Sequence, residues 1–216
     1  MRGVRKEAVI IAAKHKDIAQ IAYRLFSEKG INNVSLQEIA DNSNYGIATI
    51  YRYFTNKQTL VVAAAACKWE EYLDENQKRR HASDFDGMTA ADIFDFYLDS
   101  FIDLYRNHRD LLKFNQYFNV YIQKENTDQK TLEPYRKVIE GLKDRFDIMY
   151  QKGRSDHTIT TDVPEEEMFS VTLHLMLAAV TRYAVGLAYM PEGFDAIREL
   201  TLLKEMLHDR YCTGER

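Results

Sequence analysis

The sequence predicts an all-α protein of about nine helices. Only three prolines and nine glycines interrupt its 216 residues, which favours long helices over many short strands. Apolar side chains recur every three or four residues along most of the chain, the spacing of a helix that buries one side. We find no convincing strand.

Composition and cysteine count narrow the class of protein. With 45% hydrophobic and 29% charged residues, the chain can bury a substantial core. Two cysteines, Cys67 and Cys212, are too few for a disulfide scaffold or a four-thiolate zinc site. Residues 1–16 are interrupted by charges and lack a small-residue cleavage site, so we expect no signal peptide and, by default, a cytoplasmic location.

No motif predicts an enzyme, a metal or another cofactor. The sequence has no glycine-rich phosphate loop, no nucleophile elbow and no metal-ligand spacing. No two of its six histidines lie three to five residues apart, so no helical metal pair is expected. Cys67 lies in an alanine-rich stretch, where packing is a more ordinary role than redox sensing.

The longest apolar stretch, residues 171–190, is nearly long enough to span a bilayer. His174 and Arg182 argue against a membrane, because one arginine at mid-membrane costs about 2.5–3.5 kcal/mol. We expect this stretch to form a buried or interface helix instead.

Charge divides the chain into two parts. Residues 1–58 carry a net charge of +4, whereas residues 59–216 carry −8. This asymmetry suggests a small basic module joined to a larger acidic body. We therefore predict two domains with their boundary after residue 58.

The basic module begins with two helices. The first covers about residues 14–29 and ends before Gly30. The segment Ser-Leu-Gln-Glu, 35–38, has the form of a capping box that starts a second, short helix. Residues 43–46 then form a turn, for which Asn44 suits the left-handed conformation.

The third helix lies within residues 46–57. At 100° per residue, one side of it collects Ile47, Ile50, Tyr51 and Phe54. The opposite side collects Ala48, Thr49, Arg52 and Tyr53. Two short helices joined by a turn, the second with a small, polar and basic outer side, describe a helix-turn-helix. Asn56 can cap a fourth helix that begins at Lys57.

Helical periodicity continues to the end of the chain. The remaining predicted helices cover about residues 89–107, 109–124, 133–153, 165–190 and 194–211.

Residues 18–60 resemble one family of proteins in a specific set of positions. These are Ala22, Phe26, Gly30, Ser35, Ile39, Ala40, Thr49, Ile50, Tyr51, Tyr53, Phe54 and Lys57. Together they resemble the TetR family of bacterial transcriptional regulators. The resemblance implies a dimeric DNA-binding repressor that binds a palindromic operator and is released by a small, mostly apolar ligand. The helices in 165–211 lie where the family places its dimerisation pair.

Two positions depart from the family pattern. The family usually has an Ala-Gly pair entering the turn and a serine that caps the recognition helix. This chain has Ser43 and Asn44, and then Gly46 in place of the serine. The turn is expected to survive, but one hydroxyl that contacts phosphate in relatives is missing.

The resemblance assigns DNA contacts to the recognition helix and its neighbours. Thr49, Tyr51 and Lys57 are expected to contact phosphates, and Tyr53 a base edge or a phosphate. Ser35 is expected to cap its helix and touch the DNA backbone, while Gly46 and Ala48 lie on the DNA-facing side. Arg52 points outward and is our candidate for base recognition. The plainer alternatives are packing for Tyr51, a solvated face for Arg52 and Tyr53, and a charge near a turn for Lys57.

Residues 1–16 leave three alternatives open. They form a basic arm that reaches the minor groove, a disordered tail, or an extension of the first helix.

Aromatic and methionine side chains are the candidates for the ligand site of the second domain. The candidates are Phe94, Phe101, Tyr105, Phe118, Tyr121, Phe146, Met149, Tyr150, His174 and Met176. Most side chains of this kind simply fill a core, but the family binds small molecules between these helices, and apolar pockets with a few polar groups are the general rule. His174 has the alternative of a hydrogen-bonded core residue. A helical enzyme and a helical adaptor that does not bind DNA remain as alternative functions.

Overall fold

The computed structural model describes residues 2–81, 87–189 and 193–213, and within these it leaves the side chains of residues 2–6, 80 and 81 undescribed. The described ranges contain nine α-helices. They are α1 (Arg2–Lys29), α2 (Leu36–Asp41), α3 (Ile47–Tyr53), α4 (Lys57–His81), α5 (Ala90–Asn107), α6 (Arg109–Lys124), α7 (Gln129–Asp156), α8 (Glu165–Val185) and α9 (Ala196–Tyr211). The only β-type pairing among them is an isolated bridge between Ile159 and Cys212. The all-α prediction is confirmed.

The start of α1 and the end of α8 differ from the predicted ones. Helix α1 continues back to Arg2, so the extension of the first helix is the correct alternative for the described part of 1–16. It stops at Gly30, whose φ of 83° breaks the helical path. Helix α8 ends at Val185 rather than 190, because Gly186 has a φ of 109°.

The chain divides into two compact units that differ from the predicted domains. Unit 1 comprises Met1–Leu73 and Phe114–Val138, and unit 2 comprises Asp74–Lys113 and Ile139–Arg216. Helices α4, α6 and α7 therefore each contribute residues to both units. Neither unit begins or ends at residue 58. The division after that residue stays a prediction about which residues bind DNA.

Unit 1 has an apolar core beneath α1, α2 and α3. Phe26, Ile39 and Ile50 are fully buried, and Phe54 is nearly so. A buried polar contact lies elsewhere in the same unit, where Trp69 Nε1 donates to Asn115 Oδ1 at 3.2 Å and Tyr135 Oη donates to the same oxygen at 3.1 Å. Because buried polar groups must be paired, these two bonds fix how α6 packs on α4 and α7.

Unit 2 is built on α5, α8 and α9. The Phe94 ring packs edge-on against Phe146 and Tyr211, with centroids 6.2 and 5.9 Å away. At the N-terminus of α5, Thr89 and Asp92 form a complete capping box. Helix α8 is the one described helix that is long and apolar enough to cross a membrane, which by itself is weak evidence for a span.

Candidate nucleic-acid interface

Helix α2 begins at a serine cap, as predicted. Ser35 Oγ accepts a hydrogen bond from the Glu38 backbone N–H at 3.0 Å. The predicted return contact differs, because the Glu38 carboxylate pairs with Lys29 Nζ at 2.5 Å. This ion pair connects the end of α1 to the first turn of α2.

The turn between α2 and α3 is closed by a serine hydroxyl. Ser43 Oγ donates to the Ala40 carbonyl oxygen and accepts from the Tyr45 backbone N–H, both at 3.1 Å. Asn44 does not adopt the left-handed conformation that we predicted, since only Asn126 and His157 have a positive φ among described non-glycine residues. The hydroxyl of Ser43 turns the chain by side-chain hydrogen bonding instead.

Helix α3 buries one narrow side. Ile50 and Phe54 are buried and Ile47 is half-buried, but Tyr51 is 56% exposed. The predicted packed side was therefore too wide. Tyr51 lies one helical step beyond Ile50, where its long side chain leaves the core, and this excludes the alternative in which Tyr51 only packs.

Three of the predicted DNA-contacting residues line one groove. Ser35, Tyr51 and Lys57 border a concave space of about 580 Å³ on unit 1. The other lining residues are Asn32, Asn33, Val34, Leu36, Gln37, Ile47, Thr55 and Asn56. We call this space the Ser35 groove. It combines hydroxyls, amides and one cation, which are groups that bind phosphate oxygens.

The Lys57 side chain, which borders the Ser35 groove, contacts two other groups of the protein. Its Nζ lies 3.5 Å from the Asn32 carbonyl oxygen and 5.7 Å from the centroid of the Tyr121 ring. Burial lowers the pKa of the Lys57 ammonium from its ordinary value. An anion in the groove would stabilise the charged form of this lysine.

Arg52 and Tyr53 line a different cleft, on the α1 side of α3. The Arg52 guanidinium lies 5.4 Å from the centroid of the Tyr53 ring. Both residues border a space of about 800 Å³ together with Glu7, Ile10, Ile11, Lys14 and His15. The structure therefore does not bring Arg52 and Tyr53 into the Ser35 groove.

The outer side of α3 is open. Gly46, Ala48 and Arg52 are exposed and Thr49 is half-buried. Small side chains at the first two positions let another molecule approach the helix backbone closely.

Gly46 caps α3 without a side-chain hydrogen bond. Its φ of −67° and ψ of 153° are extended values that any residue adopts. A Cβ atom added at Gly46 would meet no atom within 4 Å. The backbone therefore does not require glycine at position 46, and the serine of the family pattern would fit there.

Sequence patterns missed one contact of this region. The Tyr45 hydroxyl donates to Asp17 Oδ2 on α1 at 2.7 Å, and the two residues are 28 positions apart. No local spacing signals such a pair. Asn56, by contrast, caps α4 as predicted, since its Oδ1 accepts from the Thr59 backbone N–H at 2.9 Å.

The predicted ligand-site residues do not gather in one place. Phe118 and Tyr121 belong to unit 1, because α6 packs its second half there. His174, predicted as a pocket or core residue, is exposed, and its Nδ1 lies 3.3 Å from Ser170 Oγ. Phe101 is half-buried, and the other six are buried in unit 2: Phe94, Tyr105, Phe146, Met149, Tyr150 and Met176.

Known proteins share the sequence of the helix-turn-helix and the fold of the whole chain. The family model of bacterial regulatory proteins, tetR family, matches residues 18–64. The uncharacterized HTH-type transcriptional regulator YvdT of Bacillus subtilis (strain 168) is 24% identical over 176 residues, which cover 81% of this chain and 84% of the relative.

Two solved structures agree with this fold at low sequence identity. A Saccharomonospora viridis protein in complex with choline has a TM-score of 0.71 at 15% identity, covering 94% of this chain and 100% of its own. FadR from Bacillus subtilis in complex with stearoyl-CoA has a TM-score of 0.66 at 16% identity, covering 88% and 95%. At these identities, the likeness concerns the fold.

The helix-turn-helix, the matched family model and the fold define a transcriptional regulator rather than an enzyme. Residues 18–64 carry the helix-turn-helix sequence of the tetR family, and the chain is similar to DNA-binding transcriptional regulators of that family.

Replacing Gly46 by serine is expected to stabilise the protein and to strengthen DNA binding. The new hydroxyl can accept from the backbone at the start of α3, which adds a few tenths of a kcal/mol to the free energy of unfolding. It also restores the phosphate-contacting group of the family pattern. Thermal unfolding and a DNA titration of Gly46→Ser measure both effects, with Gly46→Ala as the control that adds only a methyl group. Equal behaviour of the two variants would show that the hydroxyl has no role.

Proposed function

We propose that the protein is a homodimeric repressor that binds a palindromic operator and is released by a small, mostly apolar ligand. The observation that carries the proposal is the Ser35 groove, which collects Ser35, Tyr51 and Lys57 beside a recognition helix with an open outer side. Because it acts on DNA, we place the protein in the cytoplasm. The DNA-binding role belongs to residues 1–58, and the ligand and dimer roles to 59–216.

The Ser35 groove suits the sugar–phosphate backbone of DNA. Lys57 is the first residue of α4, a helix of 25 residues, whose N-terminus carries a partial positive charge. The Tyr51 hydroxyl and the Lys57 ammonium therefore face an anion with favourable charge. Ser35 adds a hydroxyl to the same groove. Thr49, which does not line this groove, contacts phosphate from α3 itself.

Residues on the open side of α3 recognise the bases. Arg52 is exposed, and its guanidinium lies over the Tyr53 ring, which limits the directions it can take. An arginine held in this way can make two parallel hydrogen bonds to guanine in the major groove. Gly46 and Ala48 leave room for the base edges, and Tyr53 contacts a base edge or a phosphate.

Exposed apolar side chains on α8 and α9 support a dimer through residues 165–211. Val171 and Leu175 are one turn apart on α8 and are 36% and 46% exposed. Leu202 and Met206 are one turn apart on α9 and are 50% and 69% exposed. A second copy that covers both pairs removes this apolar surface from water. Such a two-fold dimer reads a palindrome with its recognition helices about 34–36 Å apart.

The core of unit 2 supports a ligand site that is mostly apolar. Thr172 and Thr181 on α8 are buried, and their hydroxyls have no hydrogen-bond partner among the described residues. A ligand with one or two polar atoms in an apolar body would pair them. The solved neighbours with choline and stearoyl-CoA show that proteins of this fold bind small molecules with apolar parts.

One experiment tests the DNA function directly. The full-length protein is incubated with a randomised duplex pool, bound DNA is recovered and sequenced, and a gel shift is run with the DNA that flanks its own gene. The proposal expects a palindromic consensus and a shift that specific DNA competes away. Recovery of unselected sequence would leave only non-specific binding and would contradict the repressor proposal.

Lys57→Ala and Tyr51→Phe are expected to weaken binding to the selected duplex and to random duplex by similar factors. Both residues contact phosphates, which carry no sequence information. Lys57→Ala is also expected to reduce the slope of log affinity against log salt by about one. The matched control is Lys137→Ala, an exposed lysine of α7 outside the Ser35 groove. A loss confined to the selected duplex would contradict the phosphate role.

Arg52→Ala is expected to relax the sequence preference at one or two base positions. The lost contact costs about 1–3 kcal/mol with the preferred base and little with the others. Affinities for single-base variants of the selected duplex measure the change. An equal loss on all duplexes would show that Arg52 contacts phosphate instead.

Leu175→Glu and Met206→Glu are each expected to convert the dimer to monomers at micromolar concentration. A carboxylate at the centre of an apolar interface loses its hydration without a partner. Light scattering measures the mass, with Val120→Glu on α6 as a control for an exposed apolar residue outside α8 and α9. A wild-type protein that is already a monomer would overturn the dimer.

A further inference from the structure

The N-terminus of the recognition helix is tied to α1 through one tyrosine. Tyr45 is half-buried, and its hydroxyl donates to Asp17 Oδ2 at 2.7 Å. This bond raises the pKa of Tyr45 above its ordinary value. Its backbone N–H is also fixed, since it donates to Ser43 Oγ at 3.1 Å. Tyr45 is thus held at both its backbone and its side chain.

Gly46, the next residue, has no side chain that could fix the start of α3. Helix α3 has seven residues and no side-chain cap at its start. Its buried anchors lie in its second half and just past its end, at Ile50 and Phe54. In the first turn itself Ile47 is only half-buried, so this turn depends more on the preceding turn of the chain than on core contacts of its own.

Asp17, the hydrogen-bond partner on α1, belongs to a part of that helix that is anchored in the core of unit 1. Asp17 is followed by Ile18 and Ala19, which are both buried in unit 1. Further along the same helix, Ala22 and Phe26 are fully buried. Asp17 consequently has a fixed backbone position, and a hydrogen bond to its carboxylate transfers that position to Tyr45.

We propose that Tyr45 is a positioning residue for DNA recognition, which fixes the first turn of α3 by its hydrogen bond to Asp17. The proposal rests on the DNA-binding function proposed above. It assigns to Tyr45 and Asp17 the part that a serine cap plays in the family pattern. It also explains why the unit that binds DNA contains the carboxylate of Asp17, which by itself repels phosphate.

The expected effect is a loss of specificity rather than of general affinity. A misplaced first turn weakens the contacts to base edges, whereas phosphates are still bound through the Ser35 groove. For a hydrogen bond at the surface, we expect Tyr45→Phe to lower the ratio of affinities for selected and random duplex about fivefold. Tyr45→Phe keeps the ring, so the packing of the turn is retained.

The experiment measures this ratio in a set of matched variants, using the duplex that the wild-type protein selects from the randomised pool. Asp17→Ala removes the acceptor and is expected to lower the ratio as Tyr45→Phe does, although loss of its negative charge raises affinity for both duplexes. Asp17→Asn keeps an acceptor oxygen and is expected to preserve the ratio. The double variant with Tyr45→Phe and Asp17→Ala is expected to match either single variant, because one bond is broken only once.

Two results on DNA would overturn the proposal. An equal loss on both duplexes for Tyr45→Phe would mean that the hydroxyl contacts phosphate. Additive effects of Tyr45→Phe and Asp17→Ala would mean that the two groups act separately. Adding Gly46→Ser to Tyr45→Phe is expected to restore part of the ratio, because the serine supplies a cap of its own.

A measurement without DNA separates this proposal from the proposed function. Hydrogen exchange of the amides of residues 47–53 in the free protein is expected to be faster in Tyr45→Phe and Asp17→Ala and unchanged in Asp17→Asn. If the wild-type protein selects no duplex, the DNA function fails while the exchange result still decides whether Tyr45 fixes α3. If it selects a duplex and exchange is unchanged, the positioning proposal alone fails.

Discussion

The burial of Ile50 and Phe54 is the contact on which the proposed DNA-binding surface depends. A helix of seven residues has too few internal hydrogen bonds to be stable alone, so α3 exists because its inner side is buried in unit 1. These two side chains fix where the helix lies. Ala48, Tyr51 and Arg52 lie away from the buried side of the helix, and their side chains are therefore exposed.

The two sides of α3 have different chemistry as a result. On one side, Tyr51 joins Ser35 and Lys57 in a groove of hydroxyls and a cation. On the other side, Tyr53 lies under the Arg52 guanidinium and next to α1. A residue that contacts phosphate needs a fixed place but no selectivity, whereas a residue that reads a base needs a defined direction. The ring of Tyr53 supplies such a direction for Arg52.

Local signals predicted much of this surface, and long-range contacts account for what they missed. The caps at Ser35 and Asn56 follow from residues three positions apart, and both were predicted correctly. The buried side of α3 was predicted one residue too wide, because periodicity gives an angle but not the depth at which a side chain leaves the core.

Contacts between distant parts of the chain could not be read from spacing. The Tyr45–Asp17 bond joins residues 28 positions apart. Phe118 lies in unit 1, where the centroid of its ring is 4.7 Å from that of the Tyr135 ring, 17 positions along the chain. Aromatic residues on amphipathic helices have the same pattern whether they fill a core or line a ligand site. Sequence alone therefore predicted that α6 is a helix, and only the packing shows which unit its aromatic side chains join.

Lys57 connects the Ser35 groove to the packing of α6. Its ammonium borders the Ser35 groove and also lies over the ring of Tyr121, a residue of α6. The next residue, Gln58, donates through Nε2 to the Glu125 carbonyl oxygen at 3.4 Å, just past the end of the same helix. A displacement of α6 within unit 1 would therefore change the environment of Lys57, the lysine that we propose contacts phosphate. If DNA binds Lys57 as we propose, linkage requires the reverse as well. Bound DNA then favours the α6 position that leaves the Lys57 ammonium available, and a ligand regulates DNA binding only if it favours a different α6 position.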